Sequence, residues 1–103
     1  MSEDRYVREV DDDALRREKV RARELRQTSW WRRRIATGLC HYCRRAVGAK
    51  ALTLDHVVPL VRGGRSIRAN LVAACKECNH KKQSFLAWEW QAYLDTLDRS
   101  ADS

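Results

Sequence analysis

One proline and four glycines in 103 residues leave little material for a loop-dominated chain, and they exclude a collagen-like or Pro/Gly-rich low-complexity one. No apolar run approaches the roughly 18 residues that a membrane-spanning helix needs. The opening Met1-Ser2-Glu3-Asp4 lacks the basic-then-apolar order of a secretory signal. The expectation is a soluble, cytoplasmic protein with no membrane partner. Length is scarce too: at about 100–200 residues per domain, the chain has room for one domain and not for a second catalytic one. Chains this short bury only about 60–65% of the surface they expose when unfolded. With 34% of residues charged, the core is expected to be thin, and something else should help hold it together.

The charge that is present is uneven. The formal net charge is +7, yet residues 1–13 carry −4, residues 14–37 carry +7, residues 38–50 carry +3 and residues 51–103 carry +1. A basic segment this dense is an electrostatic footprint for nucleic acid or, less often, for an acidic membrane surface. A solvated helix face would have the same composition.

Residues 11–13 read as a helix start, because acids in the first turn complement the positive end of the helix dipole. From Ala14 to Ala36 neither Pro nor Gly interrupts, good helix formers dominate, and Gly38 supplies a stop. Leu15, Ala22 and Leu25 make a thin apolar stripe, and like-charged pairs such as Arg17 and Arg21 weaken the isolated helix. The arm is therefore expected to fray when free, with Trp30, Trp31 and Ile35 docking its far end onto the body. Base stacking by the Trp pair is the functional alternative. Residues 51–54 and 71–74 are short apolar runs separated by a loop with Pro59, Gly63 and Gly64, which predicts a small β-hairpin. Downstream, Leu86, Trp90, Tyr93, Leu94 and Leu97 share one face of an amphipathic helix, broken near Ser84. Residues 99–103 read as a frayed tail. The chain thus divides into an acidic segment (1–13), a basic helical arm (14–37), a compact domain with its C-terminal helix (38–98) and the tail.

All four cysteines fall in two Cys-x-x-Cys pairs, Cys40 with Cys43 and Cys75 with Cys78. Two intervening residues let a tight turn aim both sulfurs at one ion about 2.3 Å away, and two such knuckles complete a tetrahedral zinc site. Disulfide pairing and a thioredoxin-like redox motif are the competing readings, but a cytoplasmic chain disfavours the first and the lack of a βαβ pattern the second. Four thiolates leave zinc no open position, so the ion is expected to be structural. Its binding, on the order of 10 kcal/mol, would offset the thin core. Lys76, Arg44 and Arg45 are placed to balance the knuckles' negative charge, and His41 is a possible competing ligand.

Between and just after the knuckles stand Asp55-His56, Pro59, Gly63-Gly64, Asn70-Leu71, Asn79-His80 and Lys82. Here the chain resembles the HNH endonuclease family, whose pattern runs from a Cys-x-x-Cys knuckle through Asp-His, Pro, Gly-Gly and Asn-Leu to Cys-x-x-Cys-Asn and a nearby Lys. Residues 40–82 match these elements in order, a little under half of the chain. The resemblance implies an α+β protein: a small ββα-metal, treble-clef-like core with structural zinc, flanked by N- and C-terminal helices. It implies Asp55 as carboxylate ligand of a catalytic cation, His56 as general base, Asn70 as the residue that fixes the His56 loop, and Asn79 as second metal ligand, with His80 an alternative. In a strand, adjacent side chains point to opposite faces, so Asp55 and His56 can serve different partners. A sparse donor set of one carboxylate and one amide oxygen favours Mg²⁺ or Mn²⁺ over a second zinc.

These expectations amount to a metal-dependent DNA endonuclease. Arg62, Arg65, Arg68, Lys81 and Lys82 are candidates for holding phosphates near the site, and the arm for adding affinity along the duplex. The competing readings are a zinc-knuckle module that binds nucleic acid without cutting it, and a subunit of a phage packaging or restriction assembly. A single active site implies nicking per monomer, with double-strand cleavage needing a homodimer or two visits.

Overall fold

The computed structural model describes residues 11–83 and 85–102; the acidic segment before Asp11, Ser84 itself and the last residue of the expected tail fall outside these. Among the described residues there are four α-helices and one two-stranded sheet: α1 (Asp12–Leu25), α2 (Ser29–Ala36), β1 (Leu52–His56), β2 (Leu71–Cys75), α3 (Lys76–Lys82) and α4 (Ala87–Asp102), with three short 3-10 turns between α2 and β2. This is the small α+β architecture expected of a ββα-metal fold. None of the described helices is long and apolar enough to cross a membrane.

The basic arm is not one continuous helix. Asp11 caps α1 by accepting from the Ala14 N–H at 2.7 Å. The chain then breaks at Arg26–Thr28, where the Thr28 hydroxyl donates to the Leu25 carbonyl at 2.6 Å and accepts from the Trp31 N–H, opening α2. Thr is a favoured N-cap because its oxygen satisfies a first-turn donor, and that local gain outweighs the helix-forming composition of the run. Gly38 ends α2 at φ +71, a conformation that L side chains rarely adopt.

The arm also does more than dock at one end. Trp31 is buried in the core with Cys40, Leu52, Ala73, Ala74, Cys75, Cys78 and Trp90, and Trp30 and Ile35 pack against it, as the sequence suggests. Ala22 of α1 is buried as well, and Glu18 reaches the hairpin loop, so α1 is seated rather than free. All nine Lys and Arg side chains of the arm lie on residues that face solvent.

β1 and β2 pair antiparallel in the register Leu52↔Cys75, Thr53↔Ala74, Leu54↔Ala73, Asp55↔Val72 and His56↔Leu71. β2 is buried along its whole length, so its run of apolar residues does not alternate. The first strand continues past the expected Leu54 to His56, which carries both Asp55 and His56 on regular backbone. α3 follows β2 directly and crosses the β1 face. The break expected near Ser84 lies between α3 and α4, with Gln83 at φ 43. In α4 the predicted face is in place, with Trp90 buried and Tyr93 and Leu94 half-buried, whereas the Leu97 side chain lies outside the description. The helix continues to Asp102 where a frayed tail was expected.

Candidate active site

The loop from residue 57 to residue 70 returns β1 to β2 and is held shut by Asn70. Its side-chain oxygen accepts from the Val58 N–H at 2.8 Å, and its amide donates to the Val58 carbonyl at 3.1 Å and the Arg65 carbonyl at 2.9 Å. The Val57 N–H adds a bond to the Asn70 carbonyl at 2.9 Å. An amide is suited to this task because it offers both donors and acceptors without charge. Within this loop Gly64 comes so close to Val58 that a Cβ there would sit 1.8 Å from the Val58 oxygen, which admits only glycine.

Asp55 and His56 line a cleft of about 330 Å³ together with Pro59, Leu60, Val61 and Gln83. Asp55 is buried, and its Oδ2 accepts from the Tyr42 hydroxyl at 2.5 Å and pairs with Lys82 Nζ at 3.3 Å. Among the described residues both contacts fall on Oδ2, leaving Oδ1 for another partner. His56 is half-buried, with Nε2 2.9 Å from the Ser66 hydroxyl. Burial lowers its pKa, favouring the neutral ring that a proton acceptor requires.

Lys82 corrects one expectation. Grouped by sequence with the phosphate-binding bases, it is completely buried, donating to the His56 carbonyl at 3.0 Å besides pairing with Asp55. Three residues after Asn79 on a helix, it shares the face that α3 turns toward β1. Asn79 on that face donates to the Thr53 hydroxyl at 2.8 Å. His80 is exposed on the other side, so the helix presents Asn79 rather than His80 to the strand. The remaining bases do not form one cluster. Arg62 pairs with Glu89 at 3.4 Å, Arg65 with Glu18 at 3.5 Å and Lys81 with Glu77 at 3.0 Å, while Arg68 and Arg34 each lie 5.6 Å from the centre of the Trp30 ring.

The four cysteines converge as their spacing requires: their sulfurs lie within 4.8 Å of one another, and Cys43 and Cys75 are 3.9 Å apart. Ligands at about 2.3 Å from a tetrahedral ion are separated by about 3.8 Å, so the set fits zinc. The first knuckle turns through Arg44 at φ 64 and is tied to the sheet by the His41 N–H on the Ala73 carbonyl. His41 itself is exposed and outside the sulfur group. Arg45 donates to the Cys43 sulfur at 3.3 Å and the Cys75 sulfur at 3.7 Å. Burial opposes ionisation of Cys43, but bonds from the Arg45 side chain and backbone outweigh it and bring the thiol down to about 6. Burial pushes Cys78 well above the usual thiol range. Four thiols this close can all ionise only with a cation among them.

Three participants were not legible as such. Tyr42 sits between the knuckle cysteines and belongs to no motif element. Ser66 is a single small polar residue in a loop whose arginines and asparagine draw the attention. Glu18 is one of two acids among nine bases in residues 14–37, and that rarity is the only signal it leaves.

This geometry can be set beside known proteins. A family model described as HNH endonuclease matches residues 40–91. The CRISPR-associated endonuclease Cas9 of Actinomyces naeslundii is 40% identical over 52 residues, an alignment that covers 48% of this chain. The chain spans only 5% of that relative's length. The family match begins at the first knuckle cysteine, takes in the hairpin, the clamped loop and the second knuckle, and ends inside α4; on that extent, the chain belongs to the HNH endonuclease family.

Proposed function

We propose that the protein is a metal-dependent DNA endonuclease. The observation that carries this reading is the placement of His56 beside a buried carboxylate at the end of β1, on the wall of one cleft, with the loop above it clamped by Asn70. His56 takes a proton from water, the resulting hydroxide attacks a backbone phosphorus, and the bond to the 3′ oxygen breaks; that oxygen takes a proton from solvent water, leaving a 5′-phosphate and a 3′-hydroxyl, and His56 returns its proton to solvent. Asp55, through Oδ1, and Asn79, through its amide oxygen, would hold Mg²⁺ or Mn²⁺. Bound there, the cation would offset negative charge building on the phosphate and the leaving oxygen. The structural ion at Cys40, Cys43, Cys75 and Cys78 is zinc. In this division residues 38–98 do the chemistry and residues 14–37 grip the duplex.

General base catalysis contributes about 10²–10⁴-fold. Plasmid nicking with Mg²⁺ or Mn²⁺ is expected to fall by that amount in His56→Ala; equal cleavage by both proteins would overturn the assignment. One observation favours a second reading, a zinc-knuckle module that binds without cutting: the Lys82 ammonium already supplies a positive charge to Asp55. That reading requires DNA binding with no metal-dependent nicking at all.

The arm supports a prediction of its own. Its bases are exposed, so Arg23→Ala, Arg26→Ala and Arg33→Ala should each weaken binding to all DNA sequences alike. Each should also reduce the slope of log affinity against log salt by about 1. Titrations of unrelated duplexes at several salt concentrations check this, and a sequence-selective loss would count against a backbone contact. One active site cuts one strand per visit, so double-strand cleavage requires a homodimer, a second visit or a larger nuclease assembly.

A further inference from the structure

Ser66 is buried where the hairpin loop meets α1. Its hydroxyl donates to the backbone carbonyl of Glu18, its N–H donates to Glu18 Oε1, and its oxygen lies 2.9 Å from His56 Nε2. A serine hydroxyl carries a single hydrogen. A carbonyl can only accept, so that hydrogen is committed to Glu18, and toward His56 the Ser66 oxygen is left as an acceptor. Nε2 must then carry the hydrogen, which in the neutral ring leaves the lone pair on Nδ1. The Glu18 carboxylate is itself fixed from its other oxygen by Arg21 at 3.4 Å and Arg65 at 3.5 Å.

We propose that Ser66, seated by Glu18 of α1, is a positioning residue that holds His56 as its Nε2–H tautomer and so assigns proton acceptance to Nδ1. The catalytic consequence rests on His56 being the general base; the state of the ring does not. α1 lies outside the residues that match the family, so a segment read from sequence only as a grip on DNA also completes the site. The carboxylate of Glu18 orders the Ser66 backbone, and its carbonyl orders the Ser66 hydroxyl.

The test is a long-range ¹H–¹⁵N correlation spectrum of the zinc-loaded full chain at about pH 8, above the ordinary histidine range. The His56 signals are assigned by their loss in His56→Ala. The wild type is expected to show one tautomer, protonated at Nε2. Ser66→Ala should show both tautomers, with kcat for DNA nicking about 10-fold lower and KM unchanged, and Ser66→Thr should restore the single tautomer. Should Ser66→Ala fail to fold, the wild-type spectrum carries the test by itself, since the commitment of the Ser66 hydrogen to the Glu18 carbonyl allows only the Nε2–H ring. A wild-type ring protonated at Nδ1, or an unchanged tautomer ratio in folded Ser66→Ala, would overturn the proposal. If the tautomer behaves as expected and no form of the protein cuts DNA, the nuclease reading fails and the ring assignment stands.

Discussion

Removing zinc, the ion proposed for the four-cysteine cluster, should unfold the chain. Cys40, Cys75 and Cys78 are themselves core residues, packed with Trp31, Leu52 and Trp90, so the metal site and the hydrophobic core are one object. Structural zinc sites of this kind contribute about 10–16 kcal/mol, and small domains are stable by about 5–15 kcal/mol. The core alone cannot make up that difference. A strong chelator under reducing conditions is therefore expected to abolish the helical circular dichroism and red-shift the emission of the two buried tryptophans. Zn²⁺ should restore both signals and Mg²⁺ neither. A chain that kept its spectrum after verified metal removal would show that the knuckles are not what holds the fold.

Lys82→Met should be strongly destabilising. Among the described residues it leaves buried Asp55 with the Tyr42 hydroxyl as its partner, and stranding one member of a buried ion pair costs about 3–5 kcal/mol. Replacing both members by apolar groups is often close to neutral. The Lys82→Met/Asp55→Leu protein should thus be more stable than Lys82→Met, less the cost of an unpaired Tyr42 hydroxyl, about 1–3 kcal/mol. Urea unfolding of the zinc-loaded proteins measures the cycle, and simple additivity of the two substitutions would contradict a direct pair. The same substitution separates the two placements of Lys82. A buried ammonium touches no phosphate, so the salt dependence of DNA binding by folded Lys82→Met should match that of the wild type.

What was readable in the sequence depended on spacing within short stretches. Cys-x-x-Cys constrains its own turn, so the knuckles could be placed without knowing the fold. The hairpin followed from two apolar runs flanking a Pro/Gly loop, whereas the Asp55, His56, Asn70 and Asn79 set rested on the resemblance to the HNH family, whose order it matches between and just after the knuckles. The rest depends on which surfaces meet. Thr28 looked like one more residue in a helix-forming run until its hydroxyl was seen to cap α2. Lys82 and Lys81 are neighbours of the same type, and only the docking of α3 on β1 buries one and leaves the other exposed. The bond from Glu18 to Ser66 joins residues 48 apart, which no local pattern encodes.

The position of Trp31 bears on where this domain begins. It stands upstream of the first matched residue, Cys40, yet it is a core residue against the knuckle sulfurs and Trp90. The stretch that can be aligned with relatives is therefore smaller than the stretch that must fold together. A fragment trimmed to residues 40–91 would keep every motif residue and lose a wall of its own interior. For this chain, the limits of homology are not the limits of the folding unit.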